Sequence, residues 1–132
     1  DKAREIAPGI WSTGQLDGNY HSKYIPEHAL VIDTRDGIVI ITGCSHPGIV
    51  NIVQRAHELF PDSPIHLVTG GFHLSSHSKE QVESTADSLE ALGVKHVAPS
   101  HCTGEKAIEI FRKRWGENFI DLCLGAKFEV EK

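Results

Sequence analysis

Three histidines sit in the same local pattern, and that repetition constrains the fold more than any other feature of the chain. His46 closes the run Ile38-Val39-Ile40-Ile41-Thr42-Gly43-Cys44-Ser45-His46. His73 closes Ile65-His66-Leu67-Val68-Thr69-Gly70-Gly71-Phe72-His73, and His101 follows Val97-Ala98-Pro99-Ser100. Each case combines an apolar strand-like run, a glycine-bearing loop and a helix-like stretch beyond it. If the three strands lie side by side in one parallel layer, their C-terminal ends share an edge, where open α/β sheets place ligand sites. Three imidazoles brought to one edge by three loops are what a metal centre needs.

The rest of the chain supports a layered arrangement. A short strand is expected from Ile10, followed by an exposed loop from Asp17 to Pro26. The runs His28–Asp33 and Ile38–Thr42 read as strands joined at Thr34-Arg35-Asp36-Gly37, an Asp-Gly hairpin signal. Consecutive apolar residues in the second run mark a strand buried on both faces. Pro47 suits the first position of a helix that carries Ile49, Ile52, Val53, Ala56 and Leu59 at helical spacing. Ser78-Lys79-Glu80-Gln81 reads as a capping box opening a second helix that ends at Gly93. A strand over Val94–Pro99 and a helix over Gly104–Trp115 follow, with residues 118–124 and 127–130 as two further strands. A hairpin followed by alternating strands and helices predicts one layered α/β domain over residues 1–132.

Composition removes several function classes. A net charge of -5 without a Lys/Arg block argues against nucleic acid, which requires phosphate-neutralising cations. No apolar stretch is long enough to span a bilayer, and the start has no signal-peptide core, so a cytoplasmic protein without a membrane is expected. The start also lacks methionine, an expectation that it is not the natural beginning of a protein. Three cysteines without CxxC spacing make a disulfide framework a poor reading and fit a reducing compartment.

The informative excess is histidine, nine in 132 residues. His21, His28, His57, His66 and His96 read as ordinary polar residues, and His77 as a loop residue near the site entrance. Gly43, Gly70, Gly71 and Gly104 would let backbone approach a ligand closely. Cys44 and Cys102 stand beside His46 and His101, so a closed Cys₂His₂ structural zinc is a second reading. Immediate neighbours such as His101 and Cys102 are expected to point opposite ways, which leaves the thiols lining the pocket. Helices starting after His46 and His101 would aim free N–H groups at the same edge, an arrangement suited to a phosphate ester.

The segments Ile41-Thr42-Gly43-Cys44-Ser45-His46-Pro47-Gly48, Thr69-Gly70-Gly71-Phe72-His73-Leu74 and Ser100-His101-Cys102-Thr103-Gly104 resemble a subgroup of the metallo-β-lactamase superfamily. Ile6–Gly14 and Ala29–Val39 fit it too. Members are commonly described as metal-dependent hydrolases, and some are assigned as a dihydropterin-ribofuranosylaminobenzene-phosphate synthase. The resemblance implies an αββα sandwich with a two-metal site, and for this chain half of that sandwich, a mixed sheet with helices on one face. His46 matches the third metal motif and His101 the last. The fourth motif usually carries an aspartate, and His73 stands there as a substitute ligand.

The first motif, His-x-His-x-Asp-His, appears nowhere in this sequence. The chain is therefore expected to be the C-terminal half of such a protein: a truncated chain, one product of a split gene, or a fragment that pairs with another chain. Half a sandwich would expose an apolar sheet face, so a homodimer or a complementary N-terminal half chain is expected as partner. The implied cofactor is a divalent metal (Zn, Mn, Fe or Mg) on His46, His73 and His101. Ser45, Ser100, Cys102 and Thr103 are the candidate contacts to a phosphate-containing or pterin-type small molecule. The implied activity is hydrolysis or transfer, the alternative a non-catalytic or split-enzyme subunit, and no residue receives a catalytic role.

Overall fold

The computed structural model describes residues 2–131. Six strands form a mixed sheet: β1 (Arg4–Ala7), β2 (Ile10–Ser12), β5 (Leu30–Thr34), β6 (Gly37–Thr42), β7 (Ile65–Gly71) and β8 (His96–Ser100), in the spatial order β1-β2-β5-β6-β7-β8. The first four pair antiparallel with one another in turn, and β6, β7 and β8 are mutually parallel. A short hairpin, β3 (Asn19–Tyr20) and β4 (Lys23–Tyr24), stands apart from this sheet. Crossovers through α1 (Ile49–Leu59) and α2 (Lys79–Ala91) make the parallel pairs, and α3 (Glu105–Trp115) follows β8. Among the described residues no helix is long and apolar enough to cross a membrane.

The apolar pattern explains the layering. Ile38 and Ile40 of β6, with Val31 of β5, Val68 of β7 and Val97 of β8, point toward the helices. There they meet Ile52, Val53 and Ala56 of α1, Val82, Ala86 and Leu89 of α2, and Phe111 and Trp115 of α3. Val39, Leu67 and Ala98 form a smaller cluster of their own, so β6 is buried on both faces as its unbroken apolar run predicts. The α2 capping box is also present: Ser78 accepts from Gln81 N–H, and the Gln81 side chain accepts from Ser78 N–H.

Three expectations are corrected, and one strand, β1, is added. Pro47 precedes the helix; Gly48, in the left-handed region at φ 95°, is the N-cap, and α1 starts at Ile49. Strand β1 lacks a strong apolar signal because all four of its residues are exposed at the sheet edge. The loop before Pro26 contains a hairpin. The two C-terminal strands do not form: the segment makes a single bridge, Val97 with Phe119, and then runs irregularly. Ile120 and Val130 pack on the Val39–Leu67–Ala98 cluster, and Phe128 lies 6.1 Å from the rings of His66 and His96. The sheet face expected to be bare is thus largely covered by the chain's own tail, although Ile41 stays 37% exposed.

Candidate metal centre

Register brings the three histidine loops level. Thr42 pairs with Gly70, and Gly70 pairs with Pro99, so β6, β7 and β8 end side by side. His46 and His73 meet there, with ring centroids 4.5 Å apart. Tyr20 of the small hairpin lies against both, 5.1 Å from His46 and 5.0 Å from His73. The base of that hairpin is pressed onto the His46 loop: a Cβ on Gly18 would lie 2.9 Å from the Pro47 nitrogen.

The backbone around these rings is unusual. Among the described residues, five non-glycine residues have positive φ: His21, Ser22, Ser45, His73 and His101. Three lie one in each histidine loop, and the other two form the turn of the Tyr20 hairpin. Left-handed conformations cost non-glycine residues of order 1–3 kcal/mol each and cluster where function requires them. Here they gather around one sheet edge.

Hydroxyls lock the loops together. The buried Ser45 Oγ donates to the Gly71 carbonyl at 2.6 Å and lies 3.0 Å from Thr42 Oγ1. Thr103 Oγ1, fully buried, donates to the Ser100 carbonyl at 2.6 Å and accepts from Phe72 N–H at 3.0 Å. Both hydroxyls, expected at a substrate, are engaged inside the chain in this conformation. Ser100 remains half-buried at the end of β8.

Glu27 is the residue that sequence reasoning missed. Its Oε1 makes a very short contact with His46 Nδ1, and its Oε2 accepts from His46 N–H at 3.2 Å. An ionised carboxylate only accepts, so Nδ1 carries the proton and Nε2 is the nitrogen left to bind a cation. The backbone of Glu27 is held by two hydrogen bonds to Leu16, 2.7 and 3.0 Å long. No spacing rule links positions 27 and 46; only the closing of the β2–β5 connection over the sheet edge does.

Electrostatics mark the same place. His73 is pushed below the ordinary histidine value by burial first, then by His46 and His77, and its Nδ1 is buried without a hydrogen-bond partner. Burial, the neighbouring Cys102 thiol and the Glu27 carboxylate push the Cys44 thiol up. A cavity of about 190 Å³ adjoins His46 and His73 and is also lined by His77.

His101 does not join the other two rings in a single contact group. Its donor atoms lie with Cys44 Sγ and Cys102 Sγ, all within 4.8 Å of one another, the one such group among the described residues. This corrects the expectation that His101 and Cys102 diverge. His101 opens a 3₁₀ turn over His101–Thr103 with φ 51°, so the alternation that separates neighbours along an extended chain does not apply.

A mixed sheet whose parallel strands bring imidazoles and thiols to one C-terminal edge defines an α/β protein with a candidate metal centre. No protein-family model matches the chain. It is 32% identical to Tm1679, a metal-dependent hydrolase of the β-lactamase superfamily, with a TM-score of 0.85 over 100% of this chain and 57% of that one. It is also 40% identical over 99 residues to the 7,8-dihydropterin-6-methyl-4-(β-D-ribofuranosyl)-aminobenzene-5'-phosphate synthase of Methanocaldococcus jannaschii, covering 75% of this chain and 34% of that protein. An uncharacterized protein of the same organism is 40% identical over 70 residues, 53% of this chain and 26% of its own length. The chain belongs to the metallo-β-lactamase superfamily and forms part of that fold. It spans about a third of the synthase and just over half of Tm1679.

Proposed function

We propose that this chain supplies the C-terminal ligand loops of a metal-dependent hydrolase or transferase acting on a phosphate-containing or pterin-type small molecule. The observation that carries the reading is the convergence of three loops, each with a strained left-handed residue, on one edge lined with nitrogen and sulfur donors. These donors fit a divalent cation. His73 Nδ1 is buried without a partner, His46 presents Nε2, and the Cys44–His101–Cys102 group is close enough to share an ion.

His46, His73 and His101 would hold the metal, which when bound polarises a phosphoryl oxygen and lowers the pKa of a coordinated water. The chain's own residues prepare the place. Glu27 orients His46, Ser45 and Thr103 fix the loops, and Tyr20 shields one side of the His46–His73 pair. Tyr20, 42% exposed, also offers an aromatic surface beside the imidazoles, which suits a flat heteroaromatic ring. The synthase likeness supports a pterin-type substrate. The likeness to Tm1679 supports hydrolysis.

The test is metal content of the purified chain by elemental analysis, with turnover of a generic aryl phosphodiester. Near-stoichiometric metal that is lost in His46→Ala or His101→Ala supports the reading, and unchanged metal in both variants overturns it. A second reading, a subunit completed by a second copy or by another chain, draws on the share of Tm1679 that this chain spans. Turnover that begins only on adding a chain with a His-x-His-x-Asp-His motif would establish it.

A further inference from the structure

We propose that Cys44, Cys102 and His101 form a thiolate-bearing cation subsite that takes a thiophilic divalent ion, with two sulfurs and one imidazole nitrogen as ligands and one position open. The proposal rests on the metal reading above for His101; the role of the two thiols is new. Their donor atoms and those of His101 already lie within 4.8 Å of one another. Ligands around a tetrahedral zinc, with Zn–S near 2.3 Å and Zn–N near 2.0 Å, stand roughly 3.5–3.8 Å apart. Binding an ion therefore asks the donors to close by about 1 Å.

Four features of the fold keep the group together. The 3₁₀ turn at His101–Thr103 sends the side chains of two sequence neighbours to one place. Thr103 anchors that turn to Ser100 and Phe72. Gly71 supplies the space: a Cβ there would sit 2.8 Å from Cys102 Sγ and 3.3 Å from Cys44 Cα. Cys102 Sγ donates to the Cys44 carbonyl at 3.4 Å, a weak contact that a cation could replace.

The chemistry of the donors selects the ion. Two thiolates balance the charge of a divalent cation, and soft sulfur favours zinc, cobalt or cadmium over magnesium. Three protein ligands with a fourth position open is the pattern of catalytic sites, whereas structural sites close all four. Both cysteines are half-buried and His101 is exposed, so an ion can reach the group from solvent. His46, bound through Nδ1 to Glu27, lies outside this donor set.

Cobalt(II) added to the reduced, metal-free chain tests the proposal. The expected spectrum has a near-ultraviolet thiolate-to-cobalt charge-transfer band that weakens in Cys44→Ser and Cys102→Ser and vanishes in the double variant. It should persist in Cys123→Ser, which alters the exposed third cysteine. Without any substitution, zinc but not magnesium should reduce the rapidly alkylated thiols from three to one. Cobalt binding with visible bands but no charge-transfer band overturns the thiol ligands while leaving the histidine reading intact. A band that survives in the double variant, or alkylation indifferent to zinc, also overturns the proposal. A chain that binds no cobalt overturns both readings.

Discussion

A histidine becomes a dependable metal ligand when one ring nitrogen is committed elsewhere, and Glu27 does this for His46. The two side chains are 12% and 16% exposed, so water competes little for the contact. Glu27→Gln keeps the shape but removes the charge. It should weaken zinc binding roughly 10–100-fold, the usual cost of losing such a partner, as read by isothermal titration. Unchanged affinity would show that His46 is held by packing alone. Gly71 is the other decisive residue. In Gly71→Ala the new methyl group would meet the Gly43 carbonyl at 2.6 Å as well as the Cys102 sulfur. Overpacking of this kind typically costs about 1–3 kcal/mol. A lower urea midpoint with an unchanged slope, together with weaker cobalt binding, is the expected result.

At the level of elements, the tail is where pattern and packing part company. The segment 118–124 has apolar content that reads as a strand, yet it makes a single parallel bridge to β8, with Ile120 N–H donating to the Val97 carbonyl at 2.8 Å. Ile120 packs on Val39, Leu67 and Ala98 without a ladder, whereas Leu122 and Leu124 stay exposed. Ile120→Ala should therefore destabilise the chain by about 1–2 kcal/mol, below the range for fully buried isoleucine because Ile120 is only partly covered. Chemical denaturation measures it, and increased binding of a hydrophobic dye would report the uncovered face. No loss of stability would mean that the tail does not hold this face in solution.

Acid stability is a property of the whole molecule, and His66 contributes to it. It is buried in β7, its ring lies 5.0 Å from His96, and burial followed by the His96 and Lys95 charges holds it below the ordinary 6.5. The unfolded chain then takes up the proton first, so unfolding binds a proton in the window below 6.5 and stability rises with pH across it. The His66 contribution is complete above about pH 6.5 and is lost as pH falls toward the folded value. His66→Phe should flatten the acid limb of the melting temperature below about pH 6.5. An acid limb identical to that of the wild type would assign it to other groups.

Much of this was legible in one dimension. Apolar runs followed by glycine loops and helical periodicity determined three βα units, and with them that His46, His73 and His101 would share one sheet edge, because parallel strands with helical crossovers must end on the same side. The Ser78–Gln81 cap and the Asp36-Gly37 turn were readable for the same reason: local hydrogen bonds depend on neighbours along the chain. What the tertiary structure alone decided is how the donors group. Glu27 reaches His46 across 19 positions, Cys44 meets Cys102 across 58, and the left-handed turn at His101 brings two neighbours together that an extended chain would separate. Periodicity encodes which face a residue occupies; it does not encode which loops touch, because that depends on register, on loop closure and on the space left by a missing Cβ.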